Sequence, residues 1–174
     1  MARAYMKVAN DIANLLKIAR VPSTGATLTT TSGDGTLTFI STRVSEWETI
    51  LNQLPCIYVD IDEQAIEYIP TDQGYYRLIP VLIMVYIPIQ DTELDTPEER
   101  ADEDVRADED VKTIFEHIEE IINAHTTQKA IANTTLQLVS GGIPYEPFYG
   151  NDEATGISVR VAMLQLSALQ LILP

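Results

Sequence analysis

The chain has 174 residues, 45% hydrophobic and 21% charged, which excludes wholesale disorder and suits one domain with a substantial core. A net charge of −15 excludes tight binding to a phosphate backbone, which needs clustered lysine and arginine. The single cysteine, Cys56, excludes an internal disulfide, and the longest apolar run, Leu78 to Ile89, is broken by Pro80 and Pro88 and is too short to span a bilayer.

The opening segment "MARAYMKVAN" lacks the apolar core of a signal peptide, so a soluble, cytoplasmic protein is expected. Over residues 3 to 20, Tyr5, Val8, Ala9, Ile12, Leu15, Leu16 and Ala19 recur at helical spacing. The opposite face carries Arg3, Lys7, Asp11 and Lys17 and is net positive. This helix is predicted to stop ahead of Pro22, because proline disfavours helical geometry in the residue before it. The stretch "ATLTTTSGDGTLTFIST", residues 26 to 42, alternates around Ser-Gly-Asp-Gly and predicts a protruding β-hairpin. Its Gly33-Asp34-Gly35 leads into a strand and not a helix, so it predicts a turn and not a phosphate loop.

Ser45 and Glu48 form a capping box for a short helix with Trp47, Ile50, Leu51 and Leu54 on one face, ending at Pro55. Three strands are then predicted. "CIYVDID" (56 to 62) alternates, with Ile57, Val59 and Ile61 on one face and Tyr58 and Asp60 on the other, and "AIEYIP" (65 to 70) is expected to pair back across Glu63-Gln64. "YYRLIPVLIMVYIPI" (75 to 89) is nearly continuous in apolar residues, as a central strand covered on both faces would be. At Pro80 a bulge or an exposed edge is expected, because proline donates no ladder bond.

Thr96-Pro97-Glu98-Glu99 is a second capping box and opens a long helix to about Ala124, with Val111, Ile114, Phe115, Ile118, Ile121 and Ile122 as its buried stripe. Residues 128 to 138 show no clear period, and 140 to 156, "SGGIPYEPFYGNDEATG", read as a loop dense in glycine, proline and aromatics, including Tyr145, Phe148 and Tyr149. Residues 157 to 174 are a β-rich end. Grouped strands with helices to one side predict an α+β fold: a mostly antiparallel β-sheet flanked by an N-terminal helix and one long acidic helix, in a single domain over residues 1–174.

The acidity is local. Residues 91 to 120 hold 14 of the 26 acids and 3 of the 11 bases, which is −11 of the −15. Within them "ADEDVRADEDVK" repeats ADEDV after six positions, and Asp102, Asp104, Asp108 and Asp110 invite a metal-site reading. The ligand pattern of a calcium loop fails in both frames, at Arg106 and Ala107 and at Lys112 and Thr113. His117 and His125 lie more than two helical turns apart, and neither a nucleophile elbow nor an H-E-x-x-H pair occurs. No catalytic, cofactor-binding or metal residues are therefore assigned. A six-residue step rotates each copy by about 240°, so Val105 and Val111 fall on different faces and the duplication makes no single acid face. A solvated first half of the helix, favoured by the macrodipole, is the expectation.

The run from "LNQLPCIYVDID" through "YYRLIPVLIMVYIP", the acidic "DTELDTPEE" opening a long helix, and the final "ISVRVAMLQL" resemble the tail-terminator, or tail-completion, proteins of long-tailed bacteriophages. The resemblance covers most of the chain, with the 26–42 hairpin and the acid duplication as embellishments. It implies a non-enzymatic virion protein without cofactors, assembled in the host cytoplasm into a homohexameric ring. The ring would end tail-tube growth and join tail to head, with DNA passing through its centre. The partners implied are other copies of the chain, the tail-tube protein, a neck or connector protein and the sheath, with no membrane. Arg3, Lys7 and Lys17, the four aspartates, and Tyr145, Phe148 and Tyr149 are the candidate interface residues. A head–tail connector or stopper is the neighbouring alternative, and a metal-dependent hydrolase using the four aspartates is the alternative from another class.

Overall fold

The computed structural model describes residues 6–28, 39–42, 50, 53–89, 96–125, 134–138, 148–152 and 157–172. The predicted hairpin turn at 32–35 and the capping box at 45–48 with Trp47 lie outside them. Two 16-residue strands form the spine: β4 (Gly74–Ile89) pairs antiparallel with β7 (Ile157–Ile172) in one unbroken register from Tyr75↔Ile172 to Ile89↔Ser158. Along one flank of β4 lie β2 (Cys56–Ile61) and β3 (Glu67–Thr71), with β1 (Phe39–Ser41) outside β2. Along the far flank of β7 lie β5 (Thr134–Leu138) and β6 (Phe148–Asp152). Every pairing is antiparallel except β1 with β2, which is parallel. The fold is α+β, as expected.

Pro80 makes no bulge. Its carbonyl accepts from the Asp62 amide (3.2 Å), so its nitrogen also faces the β2–β3 flank, because both groups of a strand residue point to one side. β2 pairs with Val81 to Tyr86 and β3 with Gly74 to Leu78, leaving a gap at the proline. A missing donor therefore costs no ladder bond there.

The expected pairing of residues 65–70 with β2 is corrected. Asp62 accepts from the Gln64 amide (3.2 Å) and caps a 3₁₀ turn, Glu63–Ala65, which carries the chain past β2. β3 reverses instead at Asp72-Gln73 and pairs with β4, closing on Gly74 at φ 151°. A second correction concerns residues 148–152, predicted as loop: they form β6, whose backbone pairs with β7 from Phe148↔Val161 to Asp152↔Ile157.

The inner sheet face carries Ile57, Val59 and Ile61 of β2, Ile79 to Ile89 at alternate positions of β4, and Ala162, Leu166 and Ala168 of β7, all buried. Helices α1 (Met6–Ile18) and α2 (Pro97–His125) cover it. Val8, Ala9, Ile12, Leu15 and Leu16 of α1, and Ala19 just past its end, are buried at the spacing predicted. From α2 come Val111, Ile114, Phe115, Ile118, Ile121 and Ile122. Each such fully buried aliphatic side chain contributes about 1.5–3 kcal/mol relative to an exposed one. The outer sheet face has a smaller cluster of Ile50, Cys56, Tyr58, Tyr86, Val159 and Val161, so β4 is apolar on both faces for two different partners.

Candidate interaction surfaces

The α2 N-terminus forms as its sequence dictates. Thr96 Oγ1 accepts from the Glu99 amide (3.3 Å) and Glu99 accepts from the Thr96 amide (3.2 Å), which satisfies two otherwise orphaned donors. From there the two ADEDV copies meet different surroundings. Val105 is 55% exposed while Val111 is fully buried, the outcome of the 240° rotation.

The expectation of a solvated first half holds for Ala101, Asp102 and Val105 of the first copy but fails for most of the second. In the second copy Ala107 and Asp110 are wholly buried, inside the stripe that packs on the sheet. Arg106 donates to Asp110 (3.2 Å), twice to Glu103 (3.0 and 2.9 Å) and to the Pro88 carbonyl of β4 (3.4 Å). Asp108 accepts from Nε (2.8 Å) and Nη2 of Arg160, a nearly buried arginine on β7. A buried carboxylate is tolerable only when paired, and here cations on the helix itself and on the sheet supply the pairing. Asp108 and Asp110 thus dock α2 onto β4 and β7, so Asp110 is no surface charge for a partner. Asp102 remains exposed, and Asp104 lies on the same helix.

The outer face of α2 carries a stripe that the duplication does not explain position for position. Glu98, Asp102, Val105, Glu109, Lys112, Glu116 and Glu119 follow one another at alternating steps of four and three, and all are exposed. Asp102 from one copy and Glu109 from the other align because seven residues make nearly two turns. Five acids and one lysine give that edge a strong negative potential.

On α1, Lys7 pairs with Asp11 (2.8 Å) in the open, a contact of about 0.3–0.5 kcal/mol at most. Lys17 is exposed at the last turn, next to Ile18, which is 76% exposed. Arg3 and Tyr145 lie outside the described residues, and Phe148 and Tyr149 sit on β6. Within one chain, among the described residues, no ion pair joins Lys7 or Lys17 to the acids of α2. Two buried atoms at the far end of the spine, Arg77 Nε and Gln170 Oε1, have no hydrogen-bond partner, and their residues face each other across β4 and β7.

Cys56 is buried beside Tyr58 and Tyr86, whose rings meet edge-on at 5.8 Å. Burial pushes its thiol up to about 12, so it stays protonated at neutral pH. Among the described residues no three His, Cys, Asp or Glu side chains gather to hold a metal ion, and no helix is long and apolar enough to cross a membrane.

Sequence reasoning missed one surface. The β3–β4 hairpin projects beyond the core, with all five β3 residues exposed and Tyr68, Ile69 and Tyr75 open to solvent. The signal was present in "EYIPTDQGYY", where apolar and acidic residues interleave around a turn. No protein-family model and no curated protein matches this chain.

Proposed function

We propose that this chain is a structural protein of a bacteriophage tail, forming a ring at the head-proximal end that terminates tail-tube growth and joins tail to head. The observation that carries the reading is the order of elements along the chain. An N-terminal helix, grouped strands ending in a long apolar strand, an acid-opened long helix and a C-terminal strand follow one another as the resemblance requires. The acidic outer stripe of α2 supports it physically, because a like-charged wall repels the DNA backbone and lets it slide without sticking. The hydrolase alternative draws less support. Two of its four aspartates, Asp108 and Asp110, are engaged by Arg160 and Arg106.

Electron microscopy of tails assembled with and without the protein tests the proposal. Tubes longer than the wild-type length in its absence are the expected result. Tubes of normal length with unattached heads would instead assign it to the connector layer and overturn the terminator role.

A further inference from the structure

We propose that the β3–β4 hairpin is the docking surface for the C-terminal end of α1 from a second copy of this chain. Tyr68 is 60% exposed, Ile69 44% and Tyr75 38%, and the two tyrosine rings lie 5.7 Å apart at 57°. A projecting hairpin that shows this much aromatic surface has not finished burying its apolar residues. Asp62, Glu67 and Asp72 are exposed around it, whereas its one cation, Arg77, is buried.

The hairpin does not recruit a partner by strand addition. Glu67, Ile69 and Thr71 turn their backbone groups toward β4, as the direction of the Pro80 carbonyl requires, so Tyr68 and Pro70 face outward. Pro70 has no N–H, which leaves Tyr68 as the lone outward donor of that edge. What remains for recognition is the side-chain surface: the Tyr68–Tyr75 pair on one face, Glu67 and Ile69 on the other and Asp72 at the turn between them. The tip of the hairpin thus offers aromatic rings and carboxylates to an apolar group flanked by cations.

The same chain carries that complement. Lys17 and Arg20 are exposed on either side of Ile18, the most exposed large hydrophobic residue described. Arg20 is steadied at the surface by its bond to the Gly25 carbonyl (3.2 Å). Ile18 and the hairpin tyrosines are both open within one molecule, so a second copy is needed to join them. Donor and acceptor differ, which makes the contact head-to-tail and able to close into a ring. The inference rests on the ring-forming reading above and specifies which surfaces meet.

Sedimentation velocity of the full chain at low and high salt tests it. Wild type should self-associate, and more weakly as salt rises, because exposed charges are screened. Glu67→Lys with Asp72→Lys, and separately Lys17→Glu with Arg20→Glu, should each weaken association about tenfold or more. An equimolar mixture of the two variants should restore a complex, since the reversed charges are again complementary. Tyr68→Ala and Ile18→Ser should weaken association with unchanged urea midpoints. A monomeric wild type at both salts, or a mixture that fails to associate, overturns the inference. Association through these surfaces by a protein that leaves tail length unchanged would instead sink the terminator reading while leaving the interface intact.

Discussion

The duplicated pentapeptide allows one substitution to be made twice in the same local sequence. Val105→Ala and Val111→Ala each remove two methyl groups from the fifth position of ADEDV, yet Val105 is 55% exposed and Val111 is fully buried. At Val111 the lost transfer free energy, with a term for the cavity left against the sheet, comes to about 2–3 kcal/mol. At Val105 little burial is lost, and alanine is the better helix former, so the change should lie within about 0.5 kcal/mol and lean toward stabilisation. In a chain of this size each kcal/mol moves the melting temperature by about 2–4 °C. Urea titrations followed by circular dichroism should show a lowered midpoint with an unchanged slope for Val111→Ala, and no lowered midpoint for Val105→Ala. Equal losses at both positions would refute the assignment of the two copies to opposite faces of α2, and with it the docking of the second copy onto the sheet.

Asp110→Asn should cost about 1–3 kcal/mol, below the range for a fully buried pair because Arg106 is a quarter exposed and keeps Glu103, while Asp102→Asn should be neutral within about 0.5 kcal/mol. The same titrations separate them, and a silent Asp110→Asn would show that its carboxylate is not needed for docking. Stability should also fall as pH rises from 9.0 toward about 12. The Cys56 thiol, raised by burial, stays protonated in the folded chain while the unfolded thiol ionises above 9.0, so the folded state holds the extra proton. Tyr86, pushed up to about 12 chiefly by burial and further by Cys56 and Tyr58, adds to the decline above 10.0. Cys56→Ala should flatten the part of this slope nearest pH 9, measured as urea midpoints at stepped pH, and an unchanged slope would remove the thiol from the account.

The periodic elements follow from local spacing. The α1 face, the α2 stripe, the alternation of β2 and the reciprocal Thr96–Glu99 cap were legible because each depends on contacts within a few residues, so spacing alone dictates them. The opposite fates of Val105 and Val111 were legible for the same reason. Which strand β3 joins depends on long-range packing, since Asp62 caps a 3₁₀ turn instead of a reversal, and so does the strand at residues 148–152, since a glycine- and proline-rich segment pairs when β7 offers it an edge. Long-range packing also decides what the acids do. The run reads as the solvated first half of a helix, but Arg106 and Arg160 convert its second copy into an anchor between helix and sheet. Arg160 lies 52 positions from Asp108, and no local pattern announces an ion pair across that distance. Charge count follows from composition, whereas whether a given charge is paired, buried or free to meet a neighbour depends on what the fold brings beside it.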